Sequence, residues 1–377
     1  MFSSDYKNIL IILYTAFLLE VVAQISGKCA VKEKIIPSKN ATIYFNPISK
    51  IQGTHYECKN PDLEESSAFN KPGKFLLNLS SPIIFRGNSH TAYRDPAVYY
   101  YRKKFYLFFT LVEIEPDSKI FSYTAMSTSI NLSDWSKIIK ITPRDQKFDY
   151  CGPGDVIRYK NQFILCLETY PRPNYTADQM PRFGDKNARI YIMRSTDLKK
   201  WSKPELIKVK GPGVSLEKMG RMIDPYLLKD KDNPDKCWCF FDTDRLNISY
   251  SYDLKKWVCF GAIKAGENPS VLVENEKYIL FHSPKNGIGI KISKDLIHWK
   301  PFGHLITLGQ KHWNWAKGRI TAGTVLDLRS MPEIKKYIMF FHGSGPKTEK
   351  EGDFDKNASI GIAWSADLIH WAWPGKS

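Results

Sequence analysis

The feature that most constrains this chain is a seven-residue phrase, Ser-x-(Asp or Asn)-Leu-x-x-Trp, found at 129–135, 195–201, 251–257, 293–299 and 365–371. Repetition with fixed internal spacing means that one structural unit recurs along the chain. Successive tryptophans lie 66, 56, 42 and 72 residues apart. Intervals so uneven exclude a helical solenoid, whose units must stack in register, but suit a common sheet unit carrying loops of different length.

The segments between the repeats identify the unit. Each repeat follows two strand-length apolar, aromatic or β-branched runs: 97–101 and 105–110, 156–159 and 163–167, 226–228 and 237–241, 271–273 and 278–282, 324–328 and 337–342. Short polar connections such as Arg102-Lys103-Lys104 and Asn275-Glu276-Lys277 join the runs as hairpins. A third run leads into the repeat, as at 190–195 and 288–293, and the Asp-Leu-x-x-Trp turn feeds a fourth. The reading is all-β: a five-bladed β-propeller of four-stranded antiparallel blades. The Trp is expected to pack between neighbouring blades, with the Asp or Asn bonding turn amides. Only six residues follow Trp371, too few for a fourth strand. The strand-like stretch 75–85 is therefore expected to close the ring as an N-terminal strand and remove a free sheet edge.

Five such blades occupy 75–377 and leave no room for a second folded domain. Residues 9–23 form an apolar run behind Lys7, broken only by Glu20, with small residues before Gln24. It reads as a signal peptide over 1–23, too short for a bilayer span, which predicts a secreted protein, extracellular or periplasmic, with no membrane attachment after cleavage. Residues 24–74 form a polar N-terminal arm. The seven cysteines suit an oxidising compartment, with Cys29 and Cys58 a candidate pair and Cys237 or Cys239 another with Cys259. No cysteine or histidine spacing marks a metal site. The net charge of +16 is spread along the chain. A diffuse excess favours acidic partners, an anionic polysaccharide among them, whereas the absence of a basic tract argues against nucleic acid.

In a propeller the innermost strands converge on one axis. The groups expected to open them are Arg94-Asp95-Pro96, Gly152-Pro153-Gly154-Asp155, Ile223-Asp224-Pro225, Glu267-Asn268-Pro269 and Arg319-Ile320-Thr321. Four of these five groups carry a carboxylate. Like charges gathered in a narrow funnel repel and raise one another's pKa, a cost that paired-carboxylate chemistry such as glycosidic hydrolysis can use.

These motifs, together with the repeated Ser-x-Asp-Leu-x-x-Trp, resemble the five-bladed propeller glycoside hydrolases of family 43 and its relatives, including family 117. The resemblance covers residues 80–373. It implies a secreted glycoside hydrolase acting on a poly- or oligosaccharide by an inverting mechanism, with Asp95 as general base, Glu267 as general acid, Asp224 tuning the acid and orienting the sugar, and Asp155 lining the pocket. It requires no cofactor, although the fifth-blade histidine, here His342, holds water or calcium in some members. Arg94, Arg221 and Arg319 lie beside funnel positions and are candidates to grip a substrate carboxylate or sulfate, or to neutralise the acids. Trp313 and Trp315 in one loop, and Tyr170 and Tyr175 in another, are candidates to stack on a sugar, and the likeness to family 117, whose members can use a histidine as acid, makes His282, His312 and His342 alternative acids. Two departures stand out: Glu267-Asn268-Pro269 replaces Glu-Gly-Pro, and Gly152-Pro153-Gly154-Asp155 replaces Trp-Ala-Pro-Asp. A mannoside-phosphorylase-like enzyme and a non-catalytic carbohydrate-binding propeller are the competing readings.

Overall fold

The computed structural model describes residues 71–376 apart from 146, 177–183 and 347–356. The expected signal peptide, most of the N-terminal arm, and Cys29 and Cys58 lie outside the described residues.

Five successive groups of antiparallel strands follow the five repeats. The first comprises β2 (Thr91–Tyr101), β3 (Lys104–Ile114), β4 (Ile120–Ser129) and the two-residue β5 (Ile139–Lys140). The second comprises β6 (Tyr150–Tyr159), β7 (Gln162–Tyr170), β8 (Arg189–Ser195) and β9 (Glu205–Leu206). A single parallel pairing, Ser122 with Tyr150, merges these two groups into one sheet. The third holds β10 (Ile223–Lys229), β11 (Cys237–Asp242), β12 (Leu246–Ser251) and β13 (Val258–Ile263), and the fourth β14 (Glu267–Glu274), β15 (Lys277–Ser283), β16 (Ile288–Ser293) and β17 (Lys300–Ile306). The fifth holds β18 (Arg319–Leu328), β19 (Lys336–Ser344), β20 (Ser359–Ser365) and the short β21 (Trp371–Ala372). The first strands of successive groups touch in order, β2 with β6, β6 with β10, β10 with β14 and β14 with β18, and β18 touches β2. The architecture is all-β and consistent with a propeller.

The stretch 75–85 differs in part from its expected form. Residues Lys74–Leu77 make one helical turn, α1, and only β1 (Ile83–Phe85) is extended. Lys74, Leu76 and Leu77 are good helix formers, and Ser80-Ser81-Pro82 prevents the turn from continuing. β1 is hydrogen-bonded to β20, with Ile83 opposite Gly361, so the N-terminal strand occupies the edge of the last group that the two-residue β21 leaves largely uncovered.

The repeat explains its own composition. In each copy the Asp or Asn side chain accepts the backbone N–H groups two and three residues on, as Asp197 does from Lys199 and Lys200. The Leu sits in the left-handed region in all five copies, with φ of 69, 60, 59, 65 and 67° at Leu132, Leu198, Leu254, Leu296 and Leu368. That conformation is costly for a branched residue. Two contacts offset it: the Leu side chains are buried, and in four copies the Ser hydroxyl accepts the Leu N–H. The indoles then pack on the preceding group. Trp201 meets Phe108 of the first group edge-on at 5.6 Å, and Trp257 joins the core around Ile192 and Ile207 of the second. Trp135 of the first group stands 6.2 Å from Phe340 of the fifth and 5.9 Å from Phe85 of β1.

The cysteine expectation fails within the third group. Cys237 and Cys239 are free and buried, whereas Cys259 is disulfide-bonded. The register gives the reason: Cys239 opposes Ser249, and Ser249 opposes Cys259. A whole strand intervenes, placing the two cysteines about 10 Å apart, beyond the reach of a disulfide.

Candidate active site

Three of the groups expected to open the innermost strands do so, at Ile223 of β10, Glu267 of β14 and Arg319 of β18, whereas those of β2 and β6 lie further in, and all five stand at matching irregularities. The register slips between Arg94 and Ala97, Pro153 and Val156, Ile223 and Tyr226, Glu267 and Ser270, and Thr321 and Thr324. Each slip is a bulge of two residues opposite one: Asp95-Pro96, Gly154-Asp155, Asp224-Pro225, Asn268-Pro269 and Ala322-Gly323. Proline suits the second position because a bulged residue needs no ladder N–H. The first bulge residue has positive φ in four groups, 47° at Asp95, 51° at Asp224, 52° at Asn268 and 53° at Ala322. This backbone turns the side chain at that position toward the molecular axis, and residues from all five bulges line one central hollow. Strain of this kind collects at functional sites.

A second hollow continues from the first. The two share Asp95, Glu168, Asp224 and Asn268, and the second adds Arg94, Tyr150, Tyr170, Arg221, Glu267, Arg319 and His342. Seven of the nine site residues expected from the sequence therefore meet in one place: Asp95, Asp224, Glu267, Arg94, Arg221, Arg319 and His342.

The other two lie elsewhere. Asp155 is the second residue of its bulge, the place proline holds in three other groups. It is buried beside Tyr99 and Tyr226 and does not line either hollow. The first position of that bulge is Gly154, where a Cβ would stand 1.7 Å from the Pro225 carbonyl oxygen. Close approach of β6 to β10 thus excludes any side chain there. Trp313 stacks with Trp315 at 5.2 Å and Phe341 at 6.1 Å, away from the carboxylates. Of the other loop candidates, Tyr175 is buried under the guanidinium of Arg172, and Tyr170 lines the second hollow, stacked on Tyr150 at 4.5 Å. His282 is buried, accepts the Gly266 N–H at 2.9 Å, and is pushed down to about 4 by burial and by Lys291.

One site residue had no signal in the sequence. Glu168, on the second strand of the second group, is 6 % exposed and supplies the carboxylate that Gly154 cannot. It sits in an apolar run, Ile164-Leu165-Cys166-Leu167-Glu168, where its charge reads as an ordinary strand-end residue. The one available clue is that a charged side chain closes an otherwise buried strand.

Hydrogen bonds hold the acids in distinct states. Asp95 accepts from Thr110 Oγ1 at 3.0 Å, and Nδ1 of His342 stands 3.4 Å from its Oδ1. Burial works against the Asp95 carboxylate, but Arg94, His342 and Thr110 outweigh it and hold the group well below the usual carboxylate range. Asp224 is the opposite case. Burial and the charges of Glu168, Glu267, Asp242 and Asp95 push it well above that range, although Asn268 Nδ2 donates to its Oδ1 at 3.0 Å. Glu168 is raised to about 8, by burial first and by Asp95 second, against the Asp224 amide, Arg221 and Arg94. Asp242 is raised to about 7 by burial, with Arg221 opposing. Arg221 donates to Thr243 O at 2.7 Å and lies 3.4 Å from Asp242 Oδ2. Arg319 donates to Oε1 of Glu267 and, at 3.1 Å, to Lys285 O. The site thus holds an ionised acid, Asp95, beside acids kept neutral, the division of labour that acid–base catalysis by carboxylates requires. Among the described residues, no group of three or more His, Cys, Asp or Glu side chains is arranged to hold a metal ion.

Comparison with known proteins places the fold. No family model matches the sequence, and neither does any characterised protein. The solved structures it resembles include one described as a glycoside hydrolase, 14 % identical, covering 84 % of this chain and all of its own, with a TM-score of 0.55. A thermostable family-43 glycoside hydrolase is 15 % identical, with 80 % of this chain and 97 % of that one covered and a TM-score of 0.51. A family-43 β-xylosidase/α-arabinofuranosidase from a compost microbial metagenome, solved with xylotriose, is 11 % identical, with 79 % and 99 % covered and a TM-score of 0.52. The chain has the fold of family-43 glycoside hydrolases. At these identities the likeness speaks to the fold.

Proposed function

We propose that the five strand groups are the blades of one closed propeller and that its axial hollow hydrolyses glycosidic bonds of a poly- or oligosaccharide with inversion. The observation that carries this reading is the meeting of Asp95, Asp224 and Glu267, from three separate strand groups, in one hollow, where Asp95 is held well below and Asp224 well above the usual carboxylate range. Asp95 takes the proton of an attacking water. Glu267 gives a proton to the departing glycosidic oxygen, and Asp224, bonded to Asn268, lies beside both and orients the sugar. An inverting reaction needs roughly 6.5 to 9.5 Å between base and acid to admit the water. Asp95 and Glu267 come from the first and fourth blades, so the hollow itself separates them. Secretion belongs to the same proposal, and extracellular protein whose N-terminus is Gln24 would support it.

The test is turnover of a panel containing xylotriose, arabino-oligosaccharides, pectic and uronic oligosaccharides, with the anomer of the released sugar followed by proton NMR. The expected result is a first product of inverted configuration, and its loss in Asp95→Asn. Phosphate-dependent turnover, or a retained configuration, would overturn the mechanism. Binding without turnover by folded wild-type protein would favour a sugar-binding propeller.

A further inference from the structure

The chain contains an acid that the three-carboxylate scheme does not use, and its surroundings assign it work. Glu168 is buried, lines both parts of the axial hollow, and accepts the backbone N–H of Asp224 on Oε2 at 2.5 Å. That amide belongs to a residue held at a φ of 51°, so the bond braces a strained bulge from outside its own sheet. The other oxygen, Oε1, lies against Gly152, where a Cβ would stand 3.3 Å from it and 3.3 Å from Thr110 Oγ1, the hydroxyl that donates to Asp95. A side chain at 152 would crowd this corridor between Glu168 and the Asp95 side of the hollow.

We propose that Glu168 is a positioning residue that works with Asp224 as one acid pair: it fixes the Asp224 bulge through the amide and, sharing the hollow, couples the ionisation of Asp224 to its own. This inference rests on the hydrolase reading for its kinetic consequences but not for its structural ones. The groups facing the pair are Asp95 and Arg94 from β2, Tyr150 from β6, Arg221 ahead of β10, Asp242 from β11 and Glu267 from β14. Arg94 and Arg221 favour ionisation of Glu168, whereas Asp95 and the burial of both carboxyls oppose it. Two adjacent buried carboxyls titrate as a unit, and burial with their mutual repulsion holds the pair protonated above the usual carboxylate range.

The variants are Glu168→Gln, whose amide oxygen still accepts the Asp224 N–H, and Glu168→Ala, which cannot. The first readout needs no substrate: carboxyl carbon-13 shifts of aspartate-labelled protein, followed against pH. In Glu168→Gln the Asp224 resonance is expected to titrate at lower pH than in wild type, because a like charge has gone. An unmoved resonance overturns the pair. The second readout is the pH profile of kcat/KM on whichever panel sugar wild type cleaves. The alkaline limb is expected to shift in Glu168→Gln with KM little changed, and Glu168→Ala is expected to lose about a hundredfold in kcat through misplacement of Asp224. A purely structural Glu168 would lower stability and leave the limb where it was. If wild type cleaves nothing, the hydrolase reading falls, and the carbon-13 titration still decides the pair.

Discussion

Nδ1 of His342 accepts the backbone N–H of Asp95 at 3.2 Å and lies 3.4 Å from its Oδ1. One nitrogen of an imidazole from the fifth strand group therefore stands within reach of both the backbone amide and the carboxylate of an acid from the first. A neutral ring accepts the amide, and a protonated one donates to the carboxylate. His342 is 1 % exposed, so either contact is made in a low-dielectric setting where it counts.

Removing that ring is expected to change the acid side of the reaction. His342 is among the groups that lower the pKa of Asp95, so its loss in His342→Ala raises that pKa. A general base must be ionised, and the acidic limb of kcat/KM is then expected to move to higher pH, with a drop of about tenfold or more at the wild-type optimum. His342→Asn, which keeps an acceptor near the Nδ1 position, is expected to recover part of the loss. A pH–rate comparison of the three proteins checks this, and coincident acidic limbs would remove His342 from the base's environment.

Thermal stability should fall as pH rises from about 4.5 to about 8. The folded pKa of Glu168 lies near 8 against 4.5 for the free group, and that of Asp242 near 7 against 3.8. Raised carboxyls bind more protons folded than unfolded across that window, so stability is fullest below the unfolded value and is lost toward the folded one. Asp95 runs the other way, contributing above its unfolded value and losing that contribution only in strong acid. Melting temperatures of wild type and Glu168→Gln in a series of buffers check the sign. The variant is expected to show the shallower slope, and parallel curves would mean that Glu168 is not the titrating group.

The fold was legible because the repeat is itself a mechanical part. Its Ser and Asp satisfy turn amides, its Leu holds a strained backbone against the core, and its Trp reaches the neighbouring sheet, so spacing alone counted the units. The strand starts were less legible. Asp-Pro and Asn-Pro signal turns, and only pairing reveals that Asp95, Asp224 and Asn268 are bulges: Asp95 stands well inside β2, whereas Asp224 and Asn268 directly follow the first residues of β10 and β14. The same one-residue offset explains Asp155: a carboxylate one step beyond the bulge position faces Tyr99 and Tyr226 instead of the axis. Glu168 was invisible because its role depends on β7 lying beside β10 in space, and no local pattern encodes that proximity. Trp313 lies outside the two hollows, where Trp315 and Phe341 stack on it and Trp373 meets it edge-on.

The repeated Trp should carry stability and not activity. Trp257 is 1 % exposed, packs on the second group, and donates from Nε1 to Leu254 O at 3.2 Å. Trp257→Ala is expected to cost about 3 to 5 kcal/mol by denaturant unfolding, the range for emptying a large buried aromatic site. Phe85→Ala, which removes the β1 contact to Trp135 and Phe109, is expected to cost less, because Phe85 is only partly buried. Both should leave KM for a cleaved sugar within about twofold while the protein remains folded. A fall in stability for Phe85→Ala as large as that for Trp257→Ala would mean that the N-terminal strand is as central to the ring as the cores between the groups.

The division of labour between Asp95 and Glu267 is separable by leaving group. A general acid matters most when the departing oxygen is a sugar alkoxide and least when it is an acidic phenol, whereas a general base that activates water matters for both. Glu267→Gln is therefore expected to lower kcat/KM by about 10² to 10⁴ on an oligosaccharide but by far less on a nitrophenyl glycoside of the same sugar. Asp95→Asn should be equally damaging on the two. Arg319, whose guanidinium donates to Glu267 Oε1, gives an independent handle on the same carboxyl. Arg319→Ala should lower kcat/KM on the oligosaccharide and leave the nitrophenyl reaction nearly unchanged. Equal sensitivity of both substrates to Glu267→Gln would instead make that residue a sugar-binding group, and the proton for the leaving oxygen would have to come from the Glu168–Asp224 pair.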